Sequence, residues 1–174
     1  MITILIAYDE RGRALEPLAQ AAAEGVRSIT GADAKVRTIE QASLDDVLNA
    51  DGLILGSPNW SGISAQMKDW LDTGEDLWEY QMLVGRPFGA FSNARSRGAG
   101  NEATLLQLWH PLVANGMIPV GLPWSNAMRV SSNSYYGPVA VGPATIDDLE
   151  QARILGRRVA EVARRLDRRG LGVV

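Results

Sequence analysis

Three times along this chain of 174 residues an almost unbroken apolar run ends in a loop of small and polar residues, then gives way to helical spacing. Ile2 to Ala7 stops at Tyr8-Asp9, the pattern of a strand buried on both faces. Beyond the loop Asp9 to Ala14, apolar side chains recur at Leu15, Leu18, Ala22, Val26 and Ile29, and Pro17 is tolerated because it falls in the first helical turn. Leu53 to Leu55 lead into Gly56-Ser57-Pro58-Asn59-Trp60-Ser61-Gly62 and a helix with Met67, Trp70 and Leu71 on one face. Phe88 to Ser92 lead into Asn93 to Gly100 and a helix with Leu105, Leu106 and Leu108. Strands alternating with helices require a parallel sheet with right-handed crossovers, covered on both faces.

The remaining segments complete the count. Lys35 to Ile39 alternates as a strand, and Ser43 starts a short helix with Asp45 and Asp46 in its first turn, broken at Asp51-Gly52. Pro111 is expected to kink the helix it sits in, and Gly116 suits a left-handed cap. Met117 to Leu122 is the fifth strand, with Pro119 implying a sheet edge. Trp124 to Pro143 reads as irregular. Thr145 with Asp147-Asp148 starts a last helix through Leu149, Ala152, Leu155, Val159, Val162 and Leu166, and its Arg164, Arg165, Arg168 and Arg169 read as a solvated end. The expected architecture is one domain over residues 1–174, an α/β doubly wound five-stranded parallel sheet of order 2-1-3-4-5. Ligands of such sheets bind beyond the strand C-termini at the point where strand order reverses, so the loops after strands one, three and four converge on one site.

Composition removes whole classes of chemistry. With no Cys and a single His, disulfides, thiolate catalysis, iron–sulfur clusters and a histidine-rich metal site are all ruled out, and no metal-ligating set is expected. His110 reads as structural or exposed. A net charge of -3 argues against a general nucleic-acid binder. No apolar run approaches the ~20 residues of a membrane span, and the start of the chain reads as a strand, so a cytoplasmic protein is expected.

The segment Gly56 to Gly62, followed by Ser64-Ala65-Gln66-Met67-Lys68, resembles the flavin loop of the flavodoxin-like, WrbA-type NAD(P)H:quinone oxidoreductases of the NADPH-dependent FMN reductase family. The likeness extends through Phe91-Ser92-Asn93, Gly100-Asn101-Glu102, Trp109, Asn115-Gly116-Met117, Tyr136-Gly137 and Ala152-Arg153 to Arg158, and so covers almost the whole chain. It implies a flavodoxin-like fold and a non-covalent FMN that takes hydride from NAD(P)H and passes electrons to a quinone or similar acceptor in a homodimer or homotetramer. The flavin would carry the chemistry, so no side chain need be an acid, base or nucleophile. By the same resemblance, Asp9, Glu10, Arg11, Gly12, Arg13 and Ala14 would hold the phosphate. Pro58, Asn59, Trp60, Ser61 and Gly62 would flank the ring system, and Ser92, Asn93, Ala94, Arg95, Ser96 and Gly98 would complete the contacts. Asn115, where the family carries His, and Trp78 would line the active site.

Two departures keep other readings open. Asp9 stands where the family carries a small hydroxyl, and Ala14 where Thr or Ile is common. If Asp9 faces the phosphate, repulsion costs on the order of 1–4 kcal/mol, Arg11 and Arg13 oppose it, and Asp9→Ser tightens flavin binding. If Asp9 instead caps the helix in the anion's place, the chain is a flavin-free binding module. A flavodoxin-like electron carrier is the third reading. Trp60 is expected to meet the ring or gate the acceptor, against a simple covering role; Trp70 and Trp109 read as core. Arg95 and Arg97 are either phosphate contacts or a solvated loop.

Overall fold

Alternation along the first strand divides the core of the computed structural model, which describes residues 1–124 and 134–166. In β1 (Ile2–Tyr8), Ile4 and Ile6 face one apolar layer while Leu5 and Ala7 face the other, as side chains of period two must. β1 pairs in parallel with β2 (Ala32–Thr38) on one side and β3 (Gly52–Pro58) on the other. β4 (Pro87–Ala94) pairs with β3 from Phe88 to Asn93. The order β2-β1-β3-β4-β5 is the expected one, and the fold is flavodoxin-like.

The outer side of β4 differs in detail from the expectation. It is shared by two short parallel strands, β5 (Ile118–Pro119) beside Pro87 and Phe88, and β6 (Val139–Val141) beside Ser92 to Ala94. The fifth strand is thus shorter than Met117 to Leu122, and a sixth lies inside the stretch read as irregular. A three-residue apolar run between Gly137-Pro138 and Gly142-Pro143 carries too little periodicity to announce itself. Pro119 behaves as an edge residue should. The amides of Ile118 and Val120 donate to Arg86 O (2.9 Å) and Phe88 O (2.7 Å), so the missing N–H of Pro119 falls between two made bonds.

One layer is built from α1 (Leu15–Arg27) and α6 (Ile146–Leu166). Their backbones meet closely, because a Cβ on Gly25 would lie 2.0 Å from Arg153 O and one on Gly156 would lie 1.9 Å from Ala22 O. The other layer takes Met67 of α3 (Ala65–Asp72) and Leu105, Leu108 and Leu112 of α5 (Asn101–Ala114), with α2 (Leu44–Leu48) and α4 (Glu75–Glu79) alongside. Trp109 meets Phe88 and Tyr136 edge-on at 5.5 and 5.4 Å. The indole of Trp70 donates to Ala42 O at 3.0 Å.

The helix-start signals at Ser43 and Thr145 and the cap signal at Gly116 hold where they were read. Ser43 Oγ accepts from Asp46 N (3.2 Å) and Asp46 accepts from Ser43 N (3.1 Å), while Thr145 and Asp148 repeat this box at the start of α6 (3.2 and 3.0 Å). Gly116 is left-handed at φ 72°. α5 continues past Pro111 to Ala114. Among the described residues no helix is long and apolar enough to cross a membrane. Arg168 and Arg169 lie outside the described residues.

Candidate functional site

Asp9 follows the end of β1 and is completely buried. Its carboxylate faces neither solvent nor the start of α1. Oδ1 accepts from Arg11 N (3.0 Å) and Arg11 Nε (2.7 Å), and Oδ2 accepts from Arg11 Nη2 and from Ser64 Oγ (2.6 Å). Burial pushes the Asp9 carboxyl up, but the hydrogen bonds from Arg11 and Ser64 outweigh it and hold the group below the ordinary carboxylate value. Ser64 is also the N-cap of α3: its hydroxyl accepts from Met67 N (3.1 Å), and its own amide donates to Ser57 Oγ (3.0 Å).

This arrangement corrects two readings of the sequence. Asp9 does not cap α1, whose N-cap residue is Ala14, with no side-chain hydrogen bond to the helix start. Nor is it an unpaired charge facing a ligand, since Arg11 and Ser64 take both oxygens. The first loop instead packs tightly on the start of α1 and the end of β4: a Cβ on Gly12 would come within 2.5 Å of Leu15 Cδ1 and 2.9 Å of Asn93 Oδ1.

The loop after β3 is held by α5 and the segment that leads into it. Asn59 Nδ2 donates to Ala99 O (2.8 Å) and Asn101 Oδ1 (2.9 Å), and Ile63 N donates to Gln107 Oε1 (2.8 Å). Its tip turns through Ser61 (φ 63°) and Gly62 (φ 127°), closed by Trp60 N donating to Gly62 O at 2.9 Å. The indole of Trp60, about half exposed, lies beneath the Arg11 guanidinium, whose central carbon is 5.3 Å from the ring centroid. Arg11 therefore links a buried acid to a surface aromatic.

Between these loops lies a cavity of about 560 Å³, within the usual range for small-molecule sites. Arg11 and Arg13 line it from the first loop, Asn59 and Trp60 from the second, and Asn93, Ala94 and Arg95 from the third, so the three loops meet as expected. Gly142 and Pro143 complete the wall. They were missed because they follow β6, which Gly142 N extends by donating to Ala94 O at 2.9 Å. Gly12, Ala14, Pro58, Gly62 and Ser92 are buried in the frame, whereas Glu10, Ser61, Ser96 and Gly98 are exposed on the same loops outside the cavity wall. Ser64 and Gln107 are the other residues that sequence reasoning missed; both act through contacts distant in sequence.

Asn115 is not brought to this cavity. It follows α5, whose 14 residues span about 21 Å at the helical rise, and the helix starts beside Asn59. Asn115 lies with Glu79 and Val84 around a different hollow. Its Nδ2 donates to Pro111 O (2.9 Å), and its buried Oδ1 has no partner among the described residues. Trp78 belongs to α4, and its side chain lies outside the described residues. His110 is exposed.

Residues 16–129 match the NADPH-dependent FMN reductase family. The chain belongs to it. Its relatives include an NAD(P)H dehydrogenase (quinone) of Archaeoglobus fulgidus, 39% identical over 133 residues that make up 76% of this chain and 69% of that protein. A flavodoxin of Aquifex aeolicus is 34% identical over 161 residues, 91% of this chain and 85% of the relative. Among solved structures, a WrbA-like flavodoxin from Agrobacterium tumefaciens superposes with a TM-score of 0.76 at 28% identity, covering 95% of this chain and 98% of the other. The protein is an oxidoreductase of this family and is WrbA-like in fold.

Proposed function

We propose that the chain binds FMN non-covalently in the cavity between its three loops and uses it to carry electrons from NAD(P)H to a quinone or a similar small acceptor. The observation that carries this reading is the cavity itself: about 560 Å³, at the C-terminal ends of the strands, lined by Arg11, Arg13, Trp60 and Arg95. The residues present fit the group. The acid that seemed to oppose a phosphate is turned inward and neutralised by Arg11, and no side chain caps the start of α1. FMN supplies the two-electron chemistry when bound.

Everything else falls to the chain. The Arg13 guanidinium and the positive end of the α1 dipole attract the phosphate end. Asn59 fixes the β3 loop to the start of α5, so the wall keeps its shape without a ligand. Trp60, with one face toward Arg11, gives a planar ring an aromatic edge to lie against and excludes water from it. Names among the relatives support the quinone as acceptor. Asn115, so far from this cavity in its own chain, would serve a flavin only across a contact between subunits of a homodimer or homotetramer.

The test begins with titration of the purified chain with FMN, followed by quenching of flavin fluorescence. Stoichiometric binding is expected, and NAD(P)H is then expected to drive reduction of a benzoquinone. No binding at ~50 μM would sink the flavin reading, because a Kd above this is weaker than about −6 kcal/mol. Binding without any hydride-driven turnover would sink the quinone reading alone and favour the electron carrier.

A further inference from the structure

An indole that is 54% exposed at the tip of a loop has several rotamers open to it. The backbone of Trp60 is fixed by its amide bond to Gly62 O and by the bonds of Asn59 beside it. Its ring meets one charged group, Arg11, and no second aromatic ring among the described residues. That guanidinium is itself held. Its Nε and Nη2 are taken by the two oxygens of Asp9, and Asp9 Oδ2 also accepts from Ser64 Oγ, the residue that caps α3. A planar fork gripped at two nitrogens does not turn freely, so its placement over Trp60 is set by a carboxylate that is completely buried.

The same grip limits what Arg11 can do for a phosphate. Arg11 and Arg13 both line the cavity from the first loop. Arg13 is exposed and makes no ion pair among the described residues, so its charge is available to an anion. The charge of Arg11 is offset by Asp9 at hydrogen-bond distance, and such a pair attracts an anion far less than a lone cation does. The loop as a whole was expected at the phosphate; its two arginines divide the work.

We propose that Ser64, Asp9 and Arg11 are positioning residues that hold Trp60 still as a wall for the planar ring of the ligand, so that Arg11 serves the ring end of a bound flavin and Arg13 the phosphate end. The inference rests on the reading that the cavity takes FMN. The advantage is preorganisation. A wall side chain already fixed before the ligand arrives does not have to be immobilised by it, and immobilising one costs about two- to tenfold in affinity. Asp9 suits the task because a carboxylate accepts from two guanidinium nitrogens at once and still has a lone pair for Ser64. The chain of contacts joins the loop after β1 to the loop after β3, which are otherwise 50 residues apart in sequence on the order of a whole βαβ unit.

The experiment is calorimetric titration of the full chain with FMN and with riboflavin, which is the same ring system without the phosphate. Asp9→Asn and Arg11→Gln are each expected to weaken both flavins by the same factor, about three- to tenfold, leaving the ratio of the two affinities as it is in the parent chain. Arg13→Gln is expected to weaken FMN and leave riboflavin unchanged. Arg11→Lys, which keeps the charge and loses the fork, should behave toward riboflavin as Arg11→Gln does. In a Trp60→Leu background Asp9→Asn should have no further effect on riboflavin, because the ring it positions is gone. A loss confined to FMN in Arg11→Gln would make Arg11 a phosphate ligand and overturn the proposal. An undiminished effect of Asp9→Asn in the Trp60→Leu background would show that Asp9 supports the loop without acting through Trp60, and would also overturn it. Should Asp9→Asn fail to fold, Arg11→Gln with and without Trp60→Leu makes the same comparison. These outcomes leave flavin binding by the parent chain intact, whereas a parent chain that binds neither flavin overturns the FMN reading and this proposal together.

Discussion

Asp9 sits completely buried with both oxygens engaged, and its folded-state pKa is depressed. A depressed carboxyl contributes stability that is fully present above its unfolded value, about 3.9, and is lost as pH falls through the lower folded value. Urea midpoints measured across that interval are expected to fall more steeply with acid in the parent chain than in Asp9→Asn. Parallel curves would show that Asp33 and Asp46, whose carboxyls are also held low by Arg27 and Lys35, carry the whole effect. Asp9→Ser is no longer expected to tighten FMN binding through relieved repulsion. It is expected to cost about 1–3 kcal/mol of stability, because Ser64 and Arg11 lose their shared acceptor, and to loosen Arg11 over Trp60. A stability unchanged within error would refute that account. The direction of this side chain was not readable in advance: Asp9 and Arg11 are neighbours in any loop, but Ser64 comes from 55 residues away.

At the scale of elements, α1 and α6 fit closely enough that their backbones touch. Gly25 and Gly156 each face a backbone carbonyl of the other helix at a distance no Cβ could keep. Gly156→Ala would gain about 1 kcal/mol of helix propensity and lose more by pushing the helices apart, for a net destabilisation of about 1–3 kcal/mol. Thermal melting is the measurement, and an unchanged or raised midpoint would show that α6 can slide to make room. The elements were also where the sequence was most informative. Ser43 and Thr145 announced their helices through hydrogen bonds to residues three positions on, and Pro119 announced an edge through a donor it lacks. β6 was hidden because a three-residue strand is stabilised by β4 beside it, not by any pattern of its own. The cavity wall at Gly142 and Pro143 was hidden with it.

Across the whole molecule, the strand order and the meeting of three loops were legible because they follow from chain topology, which the alternation of apolar runs prescribes. The reach of Asn115 was not, since it depends on the length of α5 and on which end of the sheet that helix leaves from. The α1 and α6 interface has a further consequence, for the time before the structure exists. The ribosome makes α1 before α6, and Gly156 follows Gly25 only after more than a hundred further residues, an interval on the order of ten seconds at cellular synthesis rates. Throughout it, the small-residue face of α1 that α6 will cover has no partner and is open to other nascent chains and to chaperones. Crowded, rapid expression should therefore lose more of this protein to aggregation than its finished stability would suggest.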